Sequence, residues 1–303
     1  MASHTNKPRG LRMPRHKQVF QVEVRGKDSR WYDDIYHSLL IIPWWQFFGL
    51  IALVFFIANA IFGGVFLLER GAIGGARAGS FEDAFFFSVQ TLATIGYGSM
   101  YPATLYGHCV VTIEALFGLM SVALMTGLTF AKFARPTSRV LFAEHFIVSR
   151  VNGVPHVMFR MANWRGNLIV EAQLHVVILL EEHTREGDVF RRPTELALVR
   201  DRNATFILSW TAMHRIDEAS PFFGDDPLAK LRAAKAQIFL SLSGLDETMG
   251  QTIHARHNYS LEDCVMNVRF ADVVSPSING TRVLDYSKFH DLIPLKPTEG
   301  GHE

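Results

Sequence analysis

TLATIGYG, residues 91–98, decides how this chain is read. Two glycines flank Tyr97, and Thr94 and the β-branched Ile95 come just before. Alone, the pattern fits an ordinary Gly-rich turn. Its flanks point elsewhere. Upstream, SFEDAFFFSVQ puts Ser80 where a helix N-cap belongs, with Glu82 and Asp83 in the first turn, where the helix dipole favours acids. The apolar stretch over residues 81–92 is too short to cross ~30 Å of hydrocarbon and fits a re-entrant helix. Irregular backbone following such a helix is tolerated at membrane depth only where protein buries it or it lines an aqueous cavity.

A spanning helix is expected on each side. Residues 35–68 contain no Asp, Glu, Lys or Arg. Their core, PWWQFFGLIALVFFIANAIFGGVFLL over 43–68, is long enough to span with tilt, and Trp44 and Trp45 suit the headgroup interface. The second apolar run starts at Leu105, holds one acid, Glu114, and is followed by Lys132, Arg135 and Arg139; the inner helix is read over 105–134. The loop 69–104 has only Arg70 and Arg77 as cations, so the positive-inside rule puts both termini in the cytoplasm. Before the first span, WYDDIYHSLLII (31–42) reads as an interfacial amphipathic helix or as a plain extension of the span.

The whole chain has 303 residues, enough for two modest domains. Lys+Arg and Asp+Glu nearly balance at 30 and 29, so net charge says little; the first 30 positions hold eight cations against two acids, the mark of a solvated tail or of a contact with anionic lipid or nucleic acid. The N-terminus lacks a signal-peptide pattern. Cys109 and Cys264 do not make a disulfide framework and read as buried or inert thiols in a reducing compartment. Over 137–296 short β-rich runs such as HVMFRMAN, NLIVEAQLHVVILLEE, TFILSW, QIFLSLSG and CVMNVRFADVV alternate with turn signals including Asn152-Gly153 and Asn279-Gly280, the pattern of a β-sandwich. Residues 297–303 form a short tail.

A span, a short helix, Thr94-Ile95-Gly96-Tyr97-Gly98 and a second span resemble a potassium-channel pore. Phe130-Ala131-Lys132-Phe133-Ala134-Arg135-Pro136, Ile216-Asp217-Glu218-Ala219-Ser220-Pro221-Phe222 and Asp285-Tyr286-Ser287-Lys288-Phe289-His290 narrow the resemblance to the inward-rectifier potassium channels, and within them to the prokaryotic KirBac group. The likeness runs from about residue 31 to 293. It implies a homotetramer in the cell's inner membrane, with the two-span pore domain (43–136) and a cytoplasmic immunoglobulin-like sandwich. Residues 94–98 would form a filter in which rings of backbone carbonyls replace the hydration shell of K⁺. Glycine tolerates the dihedrals this needs, and Tyr97 would point away and brace the loop.

The resemblance also assigns roles to individual residues. Phe130 would gate by dewetting where the four inner helices cross, with Gly118 and Gly127 as hinges. Val122 stands where many eukaryotic members place a cavity acid or amide, implying weak block by Mg²⁺ or polyamines from the cavity; Ba²⁺ is the expected filter blocker. Glu186 falls at an acidic ring of the cytoplasmic pore, and Ser243, Gly244, Leu245, Asp246 and Glu247 at its constriction. Gln90 and Met100 replace an acid–arginine pair found behind and after the filter in eukaryotic members, and Glu114, read as neutral, is a substitute support beside Gln90. Arg25, Lys27, Arg30, Lys132, Arg135 and Arg139 would meet anionic, phosphoinositide-like lipids at ~1 kcal/mol each.

Two further classes compete with a channel. A membrane-anchored signalling or binding protein would use the sandwich and carry a non-conducting pore. A membrane enzyme would need a nucleophile elbow, P-loop or metal constellation, and the soluble half carries none of these patterns. His254 and His257 lie three apart, too few ligands for a metal site. No cofactor is implied beyond the permeant ion, and no nucleic acid.

Overall fold

The structure is a computed structural model that describes residues 35–276 and 282–295. Two compact units divide the chain at residues 135 and 136.

The first unit opens with α1 (Ile35–Ile41) and α2 (Trp44–Phe66). A two-residue strand β1 (Ile73–Gly74) precedes α3 (Phe81–Leu92), and β2 (Tyr101–Pro102) precedes α4 (Leu105–Phe133). Helices α2 and α4 are each long and apolar enough to cross a membrane, and α3 is the short apolar helix between them. Ser80 caps α3 by accepting a hydrogen bond from the Asp83 amide at 3.2 Å, and Thr104 caps α4 from the Gly107 amide at 3.1 Å. Phe66, Ala84, Phe87 and Val110 form a small core where α2, α3 and α4 meet.

The second unit is a sandwich of two five-stranded sheets, with two further two-stranded pairings. Its strands are β3 (Val140–Phe142), β4 (Phe146–Val151), β5 (Val154–Asn163), β6 (Ile169–His183), β7 (Val189–Glu195), β8 (Arg202–Phe206) and β9 (Ser209–Arg215). After helix α5 (Pro227–Ala233) come β10 (Gln237–Asp246), β11 (Gln251–Ser260) and the short β12 (Cys264–Met266), β13 (Val268–Phe270), β14 (Val274–Pro276), β15 (Arg282–Leu284) and β16 (Leu292–Pro294). One sheet runs β11-β10-β6-β7 with β8 also on β6; the other runs β12-β4-β5-β3 with β9 also on β5. Their inner faces share one core, in which Tyr259 of β11 packs on Phe146 of β4 at 5.5 Å and its hydroxyl donates to the Ala143 carbonyl at 2.7 Å. This matches the two-layer architecture of a β-sandwich.

Several boundaries differ from the sequence reading. TFILSW is not one strand: β8 ends at Phe206 and β9 starts at Ser209. CVMNVRFADVV breaks into three strands, with Asn267 at φ +56° between the first two. β7 has no counterpart in the sequence reading because VFRRPTE is almost wholly exposed and pairs on one side only, an edge strand without a hydrophobic pattern. Residues 31–34 and the Asn279-Gly280 turn lie outside the described residues.

Candidate functional site

The loop after α3 is tied to that helix by its own backbone. The Ala93 amide donates to the Val89 carbonyl at 3.1 Å and the Thr94 amide to Thr91 at 3.0 Å. Ile95 and Gly96 both donate to the carbonyl of Gln90, at 2.8 and 3.4 Å. Thr94, Gly96 and Gly98 have φ of 57°, 59° and 81°, so every second residue is left-handed. That conformation is open to glycine and strained for a β-branched threonine. The amides of residues 93–96 are turned toward α3, and the carbonyls of residues 94–98 accept no hydrogen bond from any of the described residues. A row of backbone acceptors without protein donors suits a dehydrated cation.

The segments on either side of this loop and helix are held more firmly. Met100, neutral as read from sequence, packs against the Phe66–Phe87 core, so apolar packing stands where an ion pair was the comparison. β1 and β2 pair Ile73 with Pro102 and Gly74 with Tyr101, and the Ala103 amide donates to the Ala72 carbonyl at 2.9 Å. At the start of α3, Arg77 clamps Asp83 through its backbone amide (2.7 Å) and its guanidinium Nε (3.0 Å) and Nη2 (2.7 Å), and reaches Glu82 at 2.9 Å. Hydrogen bonding to Arg77 holds the Asp83 carboxyl at about 2, below the usual carboxylate range. The brace expected of Tyr97 is not made within the chain: its ring is 72% exposed and meets no ring or hydrogen-bond partner among the described residues.

Behind α3 lies a polar chain that sequence reading saw only at one end. Asn59, Ser88 and Glu114 are each 0% exposed. Ser88 Oγ is within hydrogen-bond reach of Asn59 Oδ1, at 3.0 Å, and of Glu114 Oε1. Asn59 Nδ2 donates to the Phe55 carbonyl at 2.7 Å. Asn59 is an amide in an otherwise uncharged span, a signal that could have been weighed as Glu114 was.

Helix α4 runs unbroken through Gly118 and Gly127. A Cβ on Gly118 would lie 2.8 Å from the Leu92 carbonyl, so this glycine permits the close approach of α4 to the end of α3; Gly127 has open space. Val122 and Phe130 are 59% and 71% exposed and line an apolar groove with Phe48 and Ile51 of α2. Of the two thiols read as buried or inert, Cys109 is exposed in the single chain, whereas burial pushes the Cys264 thiol up to about 11.

The basic set divides. Lys132 is buried, and its Nζ donates to the carbonyls of Leu39 (3.2 Å), Leu40 (3.0 Å) and Ile42 (2.6 Å) at the end of α1. The same ammonium sits 5.3 Å from the ring centres of Trp44 and Phe47. An ammonium has three protons, and all three have protein acceptors. Lys132 is therefore corrected from a lipid-facing cation to a cap on α1. Arg135 is exposed and lends one Nη1 bond to the Leu40 carbonyl at 3.0 Å, and Arg139 is exposed. Arg25, Lys27 and Arg30 lie outside the described residues.

In the sandwich, Glu186 is exposed on the loop joining β6 and β7, and Glu247 is exposed after β10. Ser243 is partly buried, Gly244 buried and Leu245 42% exposed. Asp246 is corrected: it is 2% exposed, accepts from the amides of Thr248 (3.0 Å) and Met249 (3.1 Å), and pairs with Arg165 Nη1 at 3.1 Å. It pins its own turn and does not face an aqueous path. Arg165 also donates through Nη2 to the Thr137 carbonyl and hydroxyl. His254 is exposed, and His257 stacks on Phe142 at 5.1 Å. No group of three or more His, Cys, Asp or Glu among the described residues is placed to hold a metal ion.

Two apolar helices flanking a re-entrant helix and a loop of unpaired carbonyls, joined to a β-rich C-terminal domain, define a pore-loop ion channel. Residues 50–135 match the ion-channel family, and residues 140–300 match the inward rectifier potassium channel C-terminal domain. Over 294 residues the chain is 40% identical to inward rectifier potassium channel Kirbac3.1 of Paramagnetospirillum magnetotacticum, covering 96% of this chain and 98% of that one. It is 26% identical to inward rectifier potassium channel irk-1 of Caenorhabditis elegans, covering 92% of this chain and 55% of that one. It is 29% identical to G protein-activated inward rectifier potassium channel 1 of Homo sapiens, covering 90% and 59%. The chain thus spans just over half the length of these animal relatives. It belongs to the inward-rectifier potassium channel family: a membrane ion channel and not an enzyme.

Proposed function

We propose that four copies of this chain meet around one axis and conduct K⁺ through the carbonyls of residues 94–98. The observation that carries this is the row of backbone acceptors without protein donors, with alternate residues left-handed. The exposure of Ile95 (47%) and Tyr97 (72%) in a single chain supports it, because apolar loop residues of this size call for a neighbouring copy. Phe130 closes the inner end of the pore by dewetting, and Val122 lines the cavity above it without attracting Mg²⁺ or polyamines. Glu186 and Glu247 supply negative charge along the cytoplasmic path, beside Ser243, Gly244 and Leu245. Gly127, unobstructed, is the hinge; Gly118 serves packing. Both termini face the cytoplasm of a cell bounded by its inner membrane, and Arg135 and Arg139, with Arg25, Lys27 and Arg30, contact anionic lipid headgroups.

Uptake of rubidium into liposomes holding the purified protein tests the reading. Uptake that barium blocks supports it, and absence of flux across pH and lipid composition returns the chain to a membrane-anchored protein with a silent pore. Native mass measurement in detergent should give four chains.

A further inference from the structure

In the buried chain Asn59–Ser88–Glu114, one arrangement of protons gives each of the two Ser88 contacts a hydrogen of its own. Asn59 Nδ2 donates to the Phe55 carbonyl, which is an acceptor only, so Oδ1 is the atom that faces Ser88. Oδ1 cannot donate. The single hydroxyl proton of Ser88 must therefore go to Asn59. That leaves only lone pairs on Ser88 Oγ toward Glu114 Oε1, and the proton in that contact must come from the carboxyl.

The surroundings agree. Glu114 is 0% exposed and its Oε2 has no hydrogen-bond partner among the described residues. An ionised carboxylate there would leave one charged oxygen buried and unpaired, the costliest arrangement for such a group. No cation among the described residues is paired with it. α2 has no charged residue, and α3 has only Glu82 and Asp83 in its first turn. On α4 itself His108 is six residues before Glu114, and Lys132, 18 residues on or about 27 Å along the helix, is committed to α1.

The position of the chain gives it a use. Ser88 lies two residues before Gln90, whose carbonyl holds the amides of Ile95 and Gly96. Four residues beyond each partner of the Ser88–Glu114 contact, Leu92 meets Gly118. The inner helix therefore touches the pore helix at two points one turn apart, and the outer helix enters through Asn59.

We infer that Asn59, Ser88 and Glu114 are positioning residues of the filter, with Glu114 acting as a neutral, proton-donating member of a chain running Glu114 to Ser88 to Asn59. The transport part of this inference rests on the channel reading; the protonation part does not.

The experiment uses the full-length protein in liposomes near neutral pH. Infrared spectroscopy with ¹³C-labelled glutamate should show a protonated-carboxyl C=O band that disappears in Glu114→Gln and shifts in Ser88→Ala. Rubidium uptake should stay within about twofold of wild type in Glu114→Gln, whose amide can donate in the same direction, and fall about tenfold in Glu114→Ala and Ser88→Ala, as expected for loss of a buried hydrogen bond. A glutamate spectrum in which Glu114→Gln removes only a carboxylate band overturns the protonation. Loss of uptake in Glu114→Gln equal to that in Glu114→Ala overturns the positioning role. A wild-type protein that shows the band but no flux contradicts the channel reading and leaves the neutral carboxyl standing.

Discussion

Gly118 of the inner helix lies against the backbone carbonyl of Leu92, so close that a Cβ at position 118 would sit 2.8 Å from that oxygen. Leu92 is the last residue of α3, two positions before the proposed filter. Helix α4 thus bears directly on the backbone that leads into the proposed filter.

Gly118→Ala should displace the end of α3 or strain α4, at a cost of about 1–3 kcal/mol for inserting a methyl into a packed contact. The expected result is reduced rubidium uptake with weakened discrimination against sodium. Gly127→Ala, with open space around it, should keep selectivity. Equal selectivity in both variants would show that the Leu92 contact does not govern the filter.

Lys132 caps the end of α1, where a cation also meets the negative end of the helix dipole. Lys132→Met should expose three carbonyls and destabilise this junction by about 1–3 kcal/mol. Hydrogen exchange measured over residues 35–41 should speed up in Lys132→Met and stay slow in Arg139→Gln. The dependence of flux on anionic lipid should move in Arg139→Gln. A lipid effect confined to Lys132→Met would restore that residue to the lipid-facing set.

Asp246 is a buried structural acid, and Arg165 its partner with a side chain 29% exposed. Arg165→Met leaves the carboxylate without its cation and should destabilise the sandwich by about 2 kcal/mol, less than for a fully buried pair. Asp246→Asn should leave spermine block from the cytoplasmic side unchanged, while Glu247→Gln weakens it. Weaker block in Asp246→Asn at unchanged stability would put the acid back in the ion path.

The Arg77–Asp83 clamp sets an acid limit. The Asp83 carboxyl titrates at about 2 in the folded chain, against 3.8 when unpaired, so the stabilisation it adds is complete above pH 4 and is lost as pH falls toward 2. A carboxyl-detected NMR titration should place Asp83 in that low range, and Arg77→Ala should return it to the ordinary one. An unchanged value in Arg77→Ala would assign the shift to the helix dipole.

The membrane half was readable in the sequence for a physical reason: a bilayer demands long apolar runs, and the carbonyl loop demands its glycines. Residues 43–68 and 81–92 correspond to α2 and α3 within two residues. The sandwich was readable as a class but not strand by strand. β7 escaped because its side chains are exposed and it carries Pro193. β11, QTIHARHNYS, hides its alternation behind small and polar residues, and of its residues only Ile253, Ala255 and Tyr259 are buried. Charge was the poorest guide. Lys132 and Asp246 looked like surface charges on sequence because their partners, the carbonyls of α1 and the guanidinium of Arg165, stand about 80–90 positions away along the chain. Asn59 and Ser88 gave no sign of meeting Glu114, since nothing local links positions 59, 88 and 114.

The most direct test of the account is the reversal potential of purified channels in a planar bilayer with potassium on one side and sodium on the other. Carbonyls of residues 94–98 acting as the ion's coordination shell predict a reversal set by the potassium gradient, with current abolished by barium. A reversal near zero, showing equal passage of both ions, would contradict the filter assigned to Thr94, Ile95, Gly96, Tyr97 and Gly98.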